Sequence, residues 1–111
     1  MNNKIMKNIE TAKVQILADL VNYQDGQVVS KTLVQNPNVS LTLFAFDQGE
    51  EISSHSSHGD AMVYVMDGQA EVTIGEEKHL VNAGETVVMP AEIPHAVSAP
   101  VRMKFMLTVV F

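Results

Sequence analysis

Past the first two dozen residues, apolar and polar side chains alternate in short stretches broken by turn residues. A period of two sets successive side chains on opposite faces of a strand. Residues 39–46 follow it: Val39, Leu41, Leu43 and Ala45 fall on one face, and Ser40, Thr42, Phe44 and Phe46 on the other. The same reasoning predicts strands over residues 27–34, 51–54, 62–66, 69–74, 78–81, 86–89, 95–98 and 101–110. Asp25-Gly26, Asn36-Pro37-Asn38, Asp47-Gln48-Gly49 and Asn82-Ala83-Gly84 separate them with residues that preset a turn dihedral or tolerate left-handed backbone. Asp67-Gly68, between two alternating stretches, is a hairpin signal. Many short strands and little helix predict an all-β fold, a sandwich or barrel. In the first twenty residues, Ile9, Ile16, Leu17 and Leu20 suit a short amphipathic helix, and Val14-Gln15-Ile16 also suits an extended arm. A brief helical turn is predicted over residues 17–21.

Two stretches depart from simple alternation. In residues 62–66, Val63 and Val65 alternate with Met62, Tyr64 and Met66, and in residues 102–111, Met103, Phe105, Leu107 and Val109 alternate with Met106 and Val110. A strand with one face in water should be polar on that face. Something therefore covers the outer side, either the N-terminal arm or a second subunit. Burying each large apolar side chain stabilises by roughly 1.5–3 kcal/mol, so a sheet-on-sheet homodimer is expected. On this reading Tyr64, sharing a face with Met62 and Met66, is an interface residue. Arg102 and Lys104 alternate with the apolar set and are expected to reach solvent, as is the strand histidine His79.

Charge and composition narrow the function. Thirteen acidic residues against seven basic ones leave a formal charge of −6, with no basic cluster. Phosphate-backbone binding needs concentrated positive charge, so nucleic acid is not an expected partner. Cysteine is absent, which removes disulfides and thiol chemistry and fits a cytoplasmic protein. The N-terminus lacks a signal-peptide apolar run, and no apolar stretch approaches the ~20 residues that span a bilayer, so no membrane partner is expected. Nothing reads as a nucleophile elbow or a phosphate loop.

Two punctuated stretches carry a resemblance. Gly49 is followed after five residues by His55, then Ser57, Ala61 and Gly68; Gly84 is followed after five by Pro90, then Glu92, His95 and Ala99. This spacing resembles the two motifs of the cupin superfamily, and the surrounding strands look like those of small single-domain bacterial cupins. In those motifs a second histidine stands at position 57, a glutamate at 61, a glycine at 92 and an asparagine at 99. The resemblance spans Gly49–Ala99, about half the chain. It implies a jelly-roll β-barrel (a double-stranded β-helix) over residues 27–111, preceded by an arm over residues 1–26, in one structural domain.

The resemblance also implies a site. Cupin barrels usually present three histidines and a glutamate to a divalent first-row metal such as Fe, Mn, Ni, Zn or Cu. Here only His55 and His95 stand at ligand positions; Ser57 is a poor donor and Ala61 none. His58 lies one residue past the second-histidine position. A regular strand would turn it to the other face, but the small residues and Gly59 around it permit a bulge that re-aims it inward. A His55–His58–His95 metal site with an incomplete ligand set is one expectation; His55 and His95 facing each other in a metal-free pocket, with His58 on a surface loop, is the other. Asp60 and Ser57 are candidates for a supporting role, and Met89 and Phe105 for pocket lining. Glu92 is placed in a loop at the barrel mouth. The function expected is a small-molecule-binding barrel, with a weak metal site if the histidines assemble. The alternative is a metal-dependent dioxygenase or isomerase acting on a small organic acid or carbonyl compound.

Overall fold

A computed structural model describes residues 5–111. Nine strands follow one short 3-10 turn, Leu17–Leu20. They are β1 Val28–Gln35, β2 Val39–Phe46, β3 Glu51–His55, β4 Asp60–Asp67, β5 Gln69–Ile74, β6 Glu77–Asn82, β7 Thr86–Met89, β8 His95–Ser98 and β9 Met103–Val110. Two sheets form, with strand orders β1-β2-β9-β4-β7 and β3-β8-β5-β6. Every pairing is antiparallel. Sequence-distant strands lie side by side, with β9 between β2 and β4, which is jelly-roll topology. Among the described residues no helix is long and apolar enough to cross a membrane.

The apolar residues of the two inner faces meet between the sheets. Phe46, Val63, Val65, Val72, Met89, Val97, Met103 and Phe105 are buried there. Three rings form the centre: Phe105 stacks on Phe44 at 4.9 Å and 18° and meets Phe46 edge-on at 5.4 Å. Glycine is needed where the β4–β5 hairpin turns under the strand that follows Arg102. Gly68 has φ +72°, and a Cβ there would lie 2.1 Å from the Arg102 carbonyl oxygen.

A second cluster sits outside the larger sheet. Leu43 and Ala45 are buried beneath Ile9, Leu17, Leu20, Val21 and Tyr23, with Leu41, Met66 and Met106 at the margin. The arm is therefore what covers the outer faces of β1, β2 and part of β9. Its backbone is tied down as well. At the irregularity between Thr32 and Val34 in β1, the Lys7 amide donates to the Leu33 carbonyl at 2.8 Å and Asn8 Nδ2 to the Thr32 carbonyl at 2.8 Å.

Charged side chains finish the attachment: Arg102 is exposed, as expected, and Lys104 half-buried, yet both are engaged. Lys104 Nζ donates to the Ala18 carbonyl at 2.8 Å. Arg102 Nε donates to Asp47 Oδ1 at 2.8 Å, and its Nη2 reaches Asp25. Both cations lie over the Tyr23 ring, 5.4 and 5.0 Å from its centroid. The Gly26 amide and then Arg102 hold the Asp47 carboxyl down to about 2. Burial, reinforced by its hydrogen bond to Asp67, pushes the Tyr23 hydroxyl up.

Candidate functional site

Antiparallel pairing of β3 with β8 sets His55 directly opposite His95. The imidazoles meet edge to face with centroids 4.4 Å apart. His95 opens β8 and is 4% exposed, whereas His55 closes β3 and is open to solvent. The pair thus bridges interior and surface at one end of the barrel. The ladder is irregular between Ile52 and His55, so β3 loses strict alternation just before the histidine it delivers.

Both rings are oriented by backbone two residues back. His55 Nδ1 lies 3.0 Å from the Ser53 carbonyl and His95 Nδ1 3.3 Å from the Ile93 carbonyl. A carbonyl only accepts, so each neutral ring carries its proton on Nδ1 and keeps the Nε2 lone pair. No hydrogen bond among the described residues engages either Nε2. Burial, and next the neighbouring His55, lower the His95 pKa below the ordinary 6.5. At neutral pH His95 is an uncharged acceptor.

His58 is not brought to this pair. Its Nδ1 lies 2.8 Å from Glu92 Oε1, and its side chain is 90% exposed. The local reason is a seam between two loops. The Glu92 amide donates to the Ser57 carbonyl at 2.8 Å, and the Ala91 amide to Asp60 Oδ1 at 2.8 Å. Ser57 Oγ donates to the Gly59 carbonyl at 2.8 Å. Ser57 and Asp60 therefore hold loop backbone. Glu92 takes φ +69°, left-handed for a residue with a side chain. Sequence reasoning gave Glu92 only a place in the loop. The signal for more was that it stands where the motif has glycine, which marks a backbone position of positive φ.

Met89 and Phe105 do not line an open cavity. Each is 1% exposed and packed in the inner core. His79 reaches solvent as expected, its side chain 41% exposed, with Nε2 3.6 Å from Glu77 Oε2 and its Cα opposite Val72.

A metal can be tested against these donors. Among the described residues no group of three or more His, Cys, Asp or Glu side chains is placed to hold one. Ala61 and Ala99 are buried and carry no donor, and Ser57 is committed to its own loop. What remains is two imidazoles, short of the three protein ligands that catalytic metal centres generally use. The residues do not fit a tightly held metal. They do fit a ligand that donates hydrogen bonds to one or both Nε2 atoms.

Comparison with known proteins agrees with the barrel. The family profile described as a cupin domain matches residues 42–111. The chain superimposes on a conserved protein of unknown function from Streptococcus pyogenes with a TM-score of 0.94 and 46% identity, covering 96% of this chain and 94% of that one. It also superimposes on a cupin 2 conserved barrel domain protein from Leptotrichia buccalis, with a TM-score of 0.84 and 41% identity, over 86% of this chain and 46% of that one. An uncharacterised Streptomyces coelicolor protein is 34% identical over 58 residues, which are 52% of this chain; the chain thus spans about half, 55%, of that curated relative. With the profile covering more than half its length and the jelly-roll barrel in place, this chain belongs to the cupin family.

Proposed function

We propose that this cupin binds a small molecule at the barrel end marked by His55 and His95, with Nε2 of each imidazole as the recognition atom. The observation that carries the reading is the pair itself: two rings 4.4 Å apart, each with Nδ1 against a backbone carbonyl and Nε2 without a protein partner. Orienting both rings through the same nitrogen is the arrangement that aims the other nitrogen at a ligand. With His95 neutral, its Nε2 lone pair is available to accept a hydrogen bond from a ligand.

A divalent metal would sit weakly on these donors, because a ligand or solvent would have to complete its coordination. The alternative reading, a metal-dependent dioxygenase or isomerase acting on a small organic acid or carbonyl compound, draws less support for the same reason.

The test uses protein purified without a histidine tag. Elemental analysis should find metal well below one equivalent. A metabolite panel followed by thermal shift should yield compounds that raise the melting temperature of the wild type but not of His55→Ala or His95→Ala. His58→Ala should keep the response. One equivalent of metal that is lost in His55→Ala and His95→Ala would overturn the reading in favour of the enzyme.

A further inference from the structure

Among the described residues no buried side-chain nitrogen or oxygen lacks a hydrogen-bond partner. His95 is 4% exposed and its Nε2 is unengaged, so that atom keeps contact with solvent through a narrow opening. Strand register defines what surrounds it. His55 pairs with His95, His95 with Ile74 and Ile74 with Glu77, which sets the four in one row across the smaller sheet. Two strand spacings, about 10 Å, separate Glu77 from His95. Ile74, opposite His95, and Ile52, opposite Val97, pack against the inner core yet stay only partly buried. Each leaves apolar surface beside the pair.

Among the described residues no basic side chain faces this row. In residues 27–111 the basic residues are Lys31, Lys78, Arg102 and Lys104. Lys31 stands opposite Leu43 and Lys104 opposite Ala45, on the face the arm covers. Arg102 is held by Asp25 and Asp47. Lys78 stands opposite Thr73, out of step with Ile74 and Glu77 and so on the other face, 3.7 Å from Glu71. Lys7 and Lys13 belong to the arm, outside the larger sheet. The charges at this end of the barrel are carboxylates, Glu77 in the row and Glu92 on the loop before β8.

We propose that the ligand of this site carries no negative charge: an uncharged molecule donates hydrogen bonds from hydroxyl or amide groups to Nε2 of His95 and His55 and lays an apolar body against Ile52 and Ile74. The inference rests on the ligand-binding reading above and adds the ligand's class. A carboxylate or phosphate would shed water to reach Nε2, find no cation to replace it, and bring an acceptor to an acceptor. Burial keeps His95 uncharged at neutral pH, so the ring does not supply the missing cation. A protonated amine can donate, but it too would lose water beside neutral rings, with Glu77 two strands away. Hydroxyl and amide groups lose least on entry and find a matching lone pair.

Probe pairs alike in shape but not in charge test this: benzamide and benzyl alcohol against benzoate, and hexanamide against hexanoate, at neutral pH. Imidazole nitrogen NMR of the labelled full chain is the readout. The Nε2 signals of His55 and His95 should move with the uncharged probes, at an affinity roughly tenfold or more above that of the matching carboxylate. Glu77→Lys, a change at an exposed position that puts a cation in the row, should narrow that difference; an unchanged preference would show that charge does not select. Carboxylates that move both signals as strongly as their uncharged counterparts overturn the ligand class and leave the ligand-binding reading standing. Signals that no probe moves, or binding equally strong in His55→Ala and His95→Ala, overturn the class and that reading together.

Discussion

Phe105→Ala separates a packed barrel from a hollow one. Phe105 is 1% exposed and holds Phe44 and Phe46 in ring contacts at 4.9 and 5.4 Å. Truncation removes the transfer free energy of the ring and leaves a void that the two sheets cannot close without moving their ladders. Phe→Ala changes at such sites cost about 3–5 kcal/mol, and loss of two aromatic pairs, worth ~0.5–1.5 kcal/mol each, places this one in the upper part of that range. A single domain has about 5–15 kcal/mol in total, so the variant should fold but sit near its limit. At about 4 °C per kcal/mol for a chain of this size, the melting temperature should fall by roughly 12–20 °C. Urea unfolding followed by circular dichroism measures the loss, with the urea slope unchanged. If Phe105 instead lined a water-filled cavity, its removal would open no new void. A loss below ~1.5 kcal/mol would then be seen, and the packing argument would be wrong. Leu80→Ala, at an exposed position, is the control and should change little.

Two further outcomes follow from the geometry. Because the folded pKa of His95 lies below its ordinary value, stability tied to the neutral ring is complete above 6.5 and declines as pH falls through the lower folded value. His95→Gln should flatten that acid-side decline; an unchanged curve would mean that other groups cause it. Gly26 and Gly68 both have positive φ, but a Cβ meets nothing within 4 Å at Gly26 and the Arg102 carbonyl oxygen at 2.1 Å at Gly68. Gly26→Ala should cost about 1 kcal/mol from backbone strain and Gly68→Ala clearly more in urea melts, since backbone must also shift. Equal losses would show that the hairpin yields freely.

The strands were legible because their signals are local. Four of the predicted stretches coincide with observed strands, β2, β5, β7 and β8, and the other five shift by one or two residues at their ends. The spacing of Gly49, His55, Gly68, Gly84, Pro90 and His95 pointed to the barrel, and the profile and the superpositions agree. The two-faced strands called for a cover; on them the arm reaches Met66 and Met106, while Met62 and Tyr64 stay open. The arm takes the half that Leu43 and Ala45 occupy because its contacts join residues 44 to 86 positions apart, which no periodicity encodes. The same contacts explain why Arg102 and Lys104 escaped the reading. At the candidate site, the facing of His55 and His95 followed from the motif. The direction of His58 did not, because a one-residue offset in an irregular loop leaves both faces open. It was decided by a carboxylate 34 residues away.

The last strand in the chain is the middle strand of its sheet. Until β9 is present, the larger sheet consists of two separate ribbons, β1-β2 and β4-β7, with nothing joining them. The emerging chain can form hairpins early, but the sheet closes only when residues 103–110 leave the ribosome. During that interval the inner edges of β2 and β4 are open templates for another strand, and the aromatic core lacks Phe105. A stall or frameshift before residue 103 would therefore leave an aggregation-prone half-barrel.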